Sequence, residues 1–332
     1  MEAHKPVLVK ELIENIPLER MRIAIDATVG TGGHSLYLLE NSNIKLVGID
    51  IDEESLDVAS RRLKRFKERV ELIEANYIDI KKVVERLGIK GVDFVCADLG
   101  LSSFQLNCER RGFSFTVDAP LDMRFSKDIR QRAEDLVNGL SKDELESLFR
   151  NYGEEPMSKR IAAEIVKVRE KRRIETAHQL AEVVRVVKSK GVRKHDSATL
   201  VFQALRIAVN KELDNLKIFL REAFKVLNVG GYLAVISYHS LEDRIVKKMF
   251  KVYSIVCRCG LEKCKCEGQP LVRLVTKKAI KPSRQEVINN RRSRSAKLRI
   301  IQKIAELRFP EYLEEIKSDR HFFKYIRKEA RQ

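Results

Sequence analysis

The chain has 332 residues, 44% of them hydrophobic, with a formal net charge of +17 and a pI near 9.6. That length and hydrophobic content exclude a disordered chain and leave room for two domains, or one domain with a large insertion. No run approaches the roughly 18 apolar residues of a membrane span and the first residues lack a signal-peptide core, so a cytoplasmic protein is expected, with a field that attracts polyanions such as RNA or DNA.

In chain order, a short amphipathic helix over 7–16 precedes strands near 22–27, 45–50, 70–75 and 92–98, with helices near 33–41, 53–67 and 79–87 between them. Such alternation implies βαβ units and an α/β fold with a parallel, Rossmann-like sheet that binds ligands at the C-terminal ends of its strands. Asp26, Asp50 and Asp98 fall at such ends, as does the pair Asn76-Tyr77. From about 107 to 213 the periodicity becomes helical, with helices near 130–137, 141–150, 155–171, 176–188 and 197–211. Strand pattern resumes at 231–237, after a helix expected to end in a glycine C-cap at Asn228-Val229-Gly230-Gly231. A helix over 241–253, a cysteine cluster, a strand near 271–277, a basic stretch over 277–299 and a charged tail complete the chain. The division expected is 1–106 and 214–302 as one α/β domain, 107–213 as an inserted all-helical domain and 303–332 as a helical tail.

The first strand runs Ile23-Ala24-Ile25 into Asp26-Ala27-Thr28-Val29-Gly30-Thr31-Gly32-Gly33-His34-Ser35. Glycines at a strand-to-helix turn let a ligand reach bare backbone N–H groups at the helix N-terminus. Asp50, at the end of the second strand, is placed to accept hydrogen bonds from ribose hydroxyls. Dinucleotide and S-adenosylmethionine enzymes share this pattern. The methyl donor is favoured because Asp26 precedes the glycines, where an acid could meet the ammonium of a methionine moiety. A tight turn without a ligand is the bland alternative.

Asp98-Leu99-Gly100-Leu101-Ser102-Ser103-Phe104-Gln105 supplies a carboxylate, two hydroxyls and an amide beside the expected position of a sulfonium methyl. Methylating an amine demands chiefly acceptors that orient its lone pair at a near-attack distance of about 3–3.5 Å, a task suited to Asp98 with Ser102 or Ser103. His239 and Tyr238, at another strand end, could face a substrate base, while Ser240 is expected to cap the next helix with Asp243 closing a capping box. Cys257, Cys259, Cys264 and Cys266 match a structural zinc in number, although the C-x-C spacing is tighter than usual; reduced thiols and a disulfide hairpin are the alternatives. Arg291, Arg292, Arg294, Lys297 and Arg299 suggest phosphate contacts, against solvated surface charge, in a stretch whose one acid is Glu286.

These motifs closely resemble the bacterial small-subunit ribosomal RNA methyltransferase H family. The resemblance rests on His4-Lys5-Pro6-Val7-Leu8, the 26–35 turn, Asp98–Ser103, Arg111-Gly112-Phe113-Ser114-Phe115 and Pro120-Leu121-Asp122-Met123-Arg124, and it covers roughly residues 4–302. It continues through Tyr152-Gly153-Glu154-Glu155, Phe202–Asn210, His239–Arg244 and Arg292–Arg299. It implies a class I methyltransferase with an inserted helical substrate domain, transferring methyl from S-adenosylmethionine to N4 of a cytidine in the decoding region of 16S ribosomal RNA, within the small subunit. Carried over by position, the implied cofactor contacts are Gly32, Gly33, His34, Asp50, Tyr77 (commonly Phe), Asp98 and Gln105; Phe104 stands where the family usually has proline. The Asp/Asn-Pro-Pro-aromatic motif of many amino-methyltransferases is absent, which argues against DNA amino-methylation. A catalytically silent RNA-binding assembly factor is the alternative from a different class.

Overall fold

The computed structural model describes residues 6–101, 111–114, 118–188, 198–255 and 270–306. Among these, seven strands form one sheet in the order β3-β2-β1-β4-β5-β7-β6. They are β1 Ile23–Asp26, β2 Lys45–Asp50, β3 Val70–Glu74, β4 Val92–Asp98, β5 Leu227–Ser237, β6 Val272–Leu274 and β7 Lys297–Lys303. The first five are mutually parallel, whereas β7 runs antiparallel to both β5 and β6. β1 lies at the topological switch point, where β2 and β4 diverge on either side and ligands bind in open α/β sheets.

The central strands β1, β2, β4 and β5 carry near-continuous apolar runs because both faces of the sheet are covered there. On one face Ile25, Val47, Val95, Val235 and Ile301 pack with Val83 and Val84 from helix α4 (Ile80–Arg86), with Leu216, Phe219 and Phe224 from α10 (Glu212–Val226), and with Val246 and Phe250 from α11 (Ser240–Ser254). On the other, Ala24, Leu46, Phe94, Ala234 and Ile300 pack with Val7, Leu8, Leu12, Leu38 and Leu39. Neighbours such as Phe94 and Val95 go to opposite faces, as the period of two requires.

The chain divides into two compact units. Of the described residues, the sheet unit takes 6–50, 56–100, 216–255 and 270–306, and the second takes 51–55, 101, 111–114, 118–188 and 198–215. The second unit is helical: α5 Ala133–Gly139, α6 Lys142–Gly153, α7 Ser158–Arg169, α8 Ala177–Lys188 and α9 Thr199–Asn210 enclose Leu136, Phe149, Ile165, Leu180 and Phe202. Inside it, Asn210 is fully engaged. Its amide donates to Met123 O at 2.8 Å and Arg206 O at 2.9 Å, and its oxygen accepts from Phe125 N at 2.9 Å. Lys188 and Glu155 form a buried ion pair. Asp52, also buried, accepts from Arg111 Nη2 and Ser55 Oγ, each at 2.8 Å.

Three local expectations are corrected. The first helix, α1, is only Val9–Glu14. Residues 228–231 are not a helix C-cap: β5 starts at Leu227, directly after α10. There the register with β4 jumps from Val92↔Leu227 to Phe94↔Tyr232, and Gly230, at φ 91°, makes the irregularity feasible. The strand expected over 271–277 is the short β6, since Val275 N and Thr276 N both turn to Ile300 O. No described helix is long and apolar enough to cross a membrane.

Candidate active site

The site is built on the turn between β1 and helix α2 (Gly33–Glu40). The turn is laced to strands on both sides: Ala27 N donates to Cys96 O at 2.8 Å and Val29 N to Ile49 O at 2.9 Å. Gly30 and Gly32 take φ 49° and 77°, the left-handed region that glycine enters without a Cβ penalty. Gly30 N donates to Asp50 Oδ2 at 2.8 Å, so the acid ending β2 is joined to the turn it was expected to serve. α2 opens on Gly32 with no side-chain cap, although Gly33, His34 and Ser35 are buried. A buried, uncapped helix N-terminus is a seat for an anionic group.

Asp26 is buried behind the turn: its Oδ2 accepts from Ser35 Oγ at 2.7 Å and Oδ1 from Thr28 N at 3.4 Å, and the residue is 2% exposed. Burial pushes its carboxyl up, opposed by His34, Ser35 and Thr28. The carboxylate braces the turn from inside. Cys96 lies beside it, and burial followed by the Asp26 charge holds that thiol protonated, well above its usual range.

The accessible acid at this edge is Asp98, whose side chain is 19% exposed. Two hydrogen bonds set it: its own N–H donates to Thr28 Oγ1 at 2.7 Å, and Gly100 N donates to its Oδ1 at 3.2 Å. Burial, then the Asp98 charge, raises the Tyr238 phenol well above its ordinary range, so it stays protonated. A Cβ on Gly100 would stand 2.7 Å from Tyr238 Cε2, so only glycine lets the ring lie there. His34 Nδ1 is 3.8 Å from Asp98 Oδ2. Tyr77 follows β3 and packs on Phe219 with ring centroids 4.9 Å apart. Thr28 as a direct support of Asp98, and Tyr238 as the ring against Gly100, are invisible in the sequence, because these residues are far apart along the chain.

His239, not Ser240, caps α11. Its Nδ1 accepts from Glu242 N at 3.4 Å while Glu242 Oε2 accepts from Tyr238 N at 2.8 Å and His239 N at 3.3 Å. The sequence holds two overlapping box patterns one residue apart, and the helix starts one residue earlier than expected. His239 Nε2 lies 3.0 Å from Glu242 Oε1 but out of line for a hydrogen bond. Asp243, freed from capping, pairs instead with Arg299 Nε at 2.7 Å and Lys297 Nζ at 3.3 Å. Those two cations of the basic stretch are thus neutralised within the sheet unit, while Arg291, Arg292 and Arg294 are exposed on a single 3₁₀ turn. Ser102, Ser103, Gln105 and the four cysteines at 257, 259, 264 and 266 lie outside the described residues.

The MraW methylase family model matches residues 1–304. The chain belongs to the MraW methylase family. Ribosomal RNA small subunit methyltransferase H of Syntrophotalea carbinolica is 46% identical over 308 residues, covering 91% of this chain and 98% of that relative. The protein of the same name from Carboxydothermus hydrogenoformans is 43% identical over 306 residues, covering 91% and 98%. A solved rRNA methylase from Streptococcus thermophilus aligns at 14% identity and a TM-score of 0.40, covering 92% of this chain and 100% of that one. The methyl donor of a MraW methylase is S-adenosylmethionine, and this turn fits it. No side chain caps the N-terminus of α2, Asp50 ends the strand beside it, and Tyr77 offers an aromatic face.

Proposed function

We propose that this MraW methylase transfers a methyl group from S-adenosylmethionine to N4 of a cytidine in the decoding region of 16S ribosomal RNA, in the cytoplasm and within the small subunit. Ribosomal RNA as substrate class is supported by the names of relatives that align over nearly their whole length. The observation that carries the reading of the chemistry is Asp98, the partly buried carboxylate at the end of β4, held by Gly100 N next to the donor turn.

When bound, S-adenosylmethionine supplies a methyl on a positively charged sulfur, which needs no acid to leave. What remains for the protein is orientation. Asp98 accepts from the exocyclic amine, turning its lone pair away from the carboxylate. As the N–C bond forms and the S–C bond breaks, the proton the nitrogen sheds leaves along that hydrogen bond to Asp98. The contacts with Gly100 and Thr28 hold that acceptor in place before the base arrives, so little reorganisation is left for the reaction. Gly32, Gly33, His34, Asp50, Tyr77 and Gln105 hold the donor; Ser102, Ser103 and His239 are the further groups assigned to the base. A stacked cytidine cannot present N4 to such a site, so the target is flipped or single-stranded when it reacts. Arg291, Arg292 and Arg294 are assigned to neighbouring phosphates.

The test is mass spectrometry of 16S ribosomal RNA from cells with and without the gene. N4-methylcytidine in the decoding region is expected to vanish on deletion and to return with wild type but not with Asp98→Ala. Persistence of the mark in the deletion strain would refute the assignment of substrate.

A further inference from the structure

The peptide group between Val7 and Leu8 is held at both ends. Its carbonyl accepts from His34 Nε2 at 2.9 Å, and its N–H donates to Glu286 Oε1 at 2.8 Å. A carbonyl can only accept, so the first bond fixes the imidazole proton on Nε2 and turns Nδ1 toward Asp98. Leu8 sits at φ 54° and ψ 25°, a left-handed conformation that leucine avoids. The Val7 and Leu8 side chains are buried in the sheet core, which sets the depth of the segment. The two hydrogen bonds set the rotation of its peptide plane. Pro6 lies on the donor turn itself: a Cβ on Gly33 would be 3.4 Å from Pro6 Cβ.

Glu286 is the one acid in the basic stretch 277–299. An acid that merely diluted surface charge would be solvated and interchangeable. This one is half-buried, on helix α12 (Arg284–Asn289), and bonds a backbone N–H 278 residues away in sequence. Ser283 Oγ accepts from Glu286 N at 3.1 Å and fixes the start of that helix.

We propose that Glu286 is a positioning residue for the donor turn: through the Val7–Leu8 peptide it fixes the tautomer and orientation of His34. The proposal rests on the assignment of that turn to the methyl donor. It also gives the basic stretch a structural link to the turn, because α12 immediately precedes the exposed arginines.

Two measurements on the full chain test it. The ¹⁵N imidazole spectrum of wild type is expected to show neutral His34 protonated at Nε2 and bare at Nδ1. Calorimetry with S-adenosylhomocysteine is expected to show about tenfold weaker binding for Glu286→Ala, the effect of losing one charge-assisted hydrogen bond. Glu286→Gln keeps an acceptor for Leu8 N and should bind within about threefold of wild type. A His34 signal protonated at Nδ1 in wild type overturns the proposal, as does an alanine variant within about twofold of wild type or a glutamine variant as weak as alanine. Should the alanine variant fail to fold, the wild-type spectrum and the glutamine variant still decide. Wild type that bound no S-adenosylhomocysteine would instead refute the donor assignment, leaving the spectrum to decide the bracket at His34.

Discussion

Replacing Gly100 with alanine tests the arrangement around Asp98 most directly. The added Cβ would lie 2.7, 2.9 and 3.2 Å from Tyr238 Cε2, Cζ and the phenol oxygen. Ordinary contact needs roughly 3.5–4.0 Å, so the ring must retreat by about 1 Å. Tyr238 is packed against the core cluster that contains Ile236, so the retreat disturbs a filled interior. Overpacking of this kind costs about 1–3 kcal/mol, and the strain falls on the residue whose N–H donates to the Asp98 carboxylate. A misplacement of about 1 Å near the reacting atoms lowers a rate by roughly 10²-fold. The assay is single-turnover transfer of labelled methyl to small subunits that lack the modification, with a thermal melt of each variant. Gly100→Ala is expected to lose about 10²-fold in rate. Combined with Tyr238→Ala, which removes the obstructing ring, it should add little to the effect of Tyr238→Ala alone. A Gly100→Ala enzyme within about twofold of wild type, or full additivity of the two changes, would refute the reasoning.

Further predictions concern the donor face, the acid limit and the RNA grip. Tyr77→Phe should bind S-adenosylhomocysteine within about twofold of wild type and Tyr77→Ala roughly tenfold more weakly, because stacking on an aromatic face is worth about 1–3 kcal/mol; calorimetry reads both. Burial pushes the Asp243 carboxyl up, but the Arg299 hydrogen bond and charge, with Lys297, outweigh it and hold the group below its usual range. A carboxylate with a depressed folded pKa contributes stability that is fully present above its unfolded value near about 3.9 and is lost as pH falls through the folded value. Melting temperature should therefore drop below about pH 4, and Asp243→Asn, destabilised by on the order of 1–3 kcal/mol at pH 7, should show a shallower drop. Methyl transfer should weaken steeply with salt, and removing Arg291, Arg292 and Arg294 together should lower the slope of log affinity against log salt by about 2. An unchanged slope would mean that these arginines do not touch phosphate.

The glycine turn was legible because its chemistry is local. Three glycines after a β-branched strand and before a leucine-spaced helix admit few structures, and the observed φ values at Gly30 and Gly32 are those only glycine takes cheaply. The strands were legible for the same reason: Lys45–Asp50 and Val92–Asp98 are runs whose alternate residues both face apolar layers. Where two local patterns competed, sequence misled. His239-x-x-Glu242 and Ser240-x-x-Asp243 satisfy the same capping spacing, and the choice between them was made by the point where β5 releases the chain. Asn228–Gly231 has the composition of a helix stop, yet β4 alongside recruits it into a bulged strand.

By itself the sequence determined the α/β alternation, the glycine turn, the acids at the strand ends and the family, all of which depend on residue types a few positions apart. Tertiary structure alone decided which acid serves which task. Asp26 is turned inward on Ser35, Asp98 is left accessible beneath the Tyr238 phenol, Asp243 is taken by Arg299, and Glu286 is carried to the backbone of Leu8. A carboxylate's role depends on its burial and on the donors that surround it. Those neighbours come from strands and helices far apart in the chain, and only the closed sheet brings them within hydrogen-bond reach.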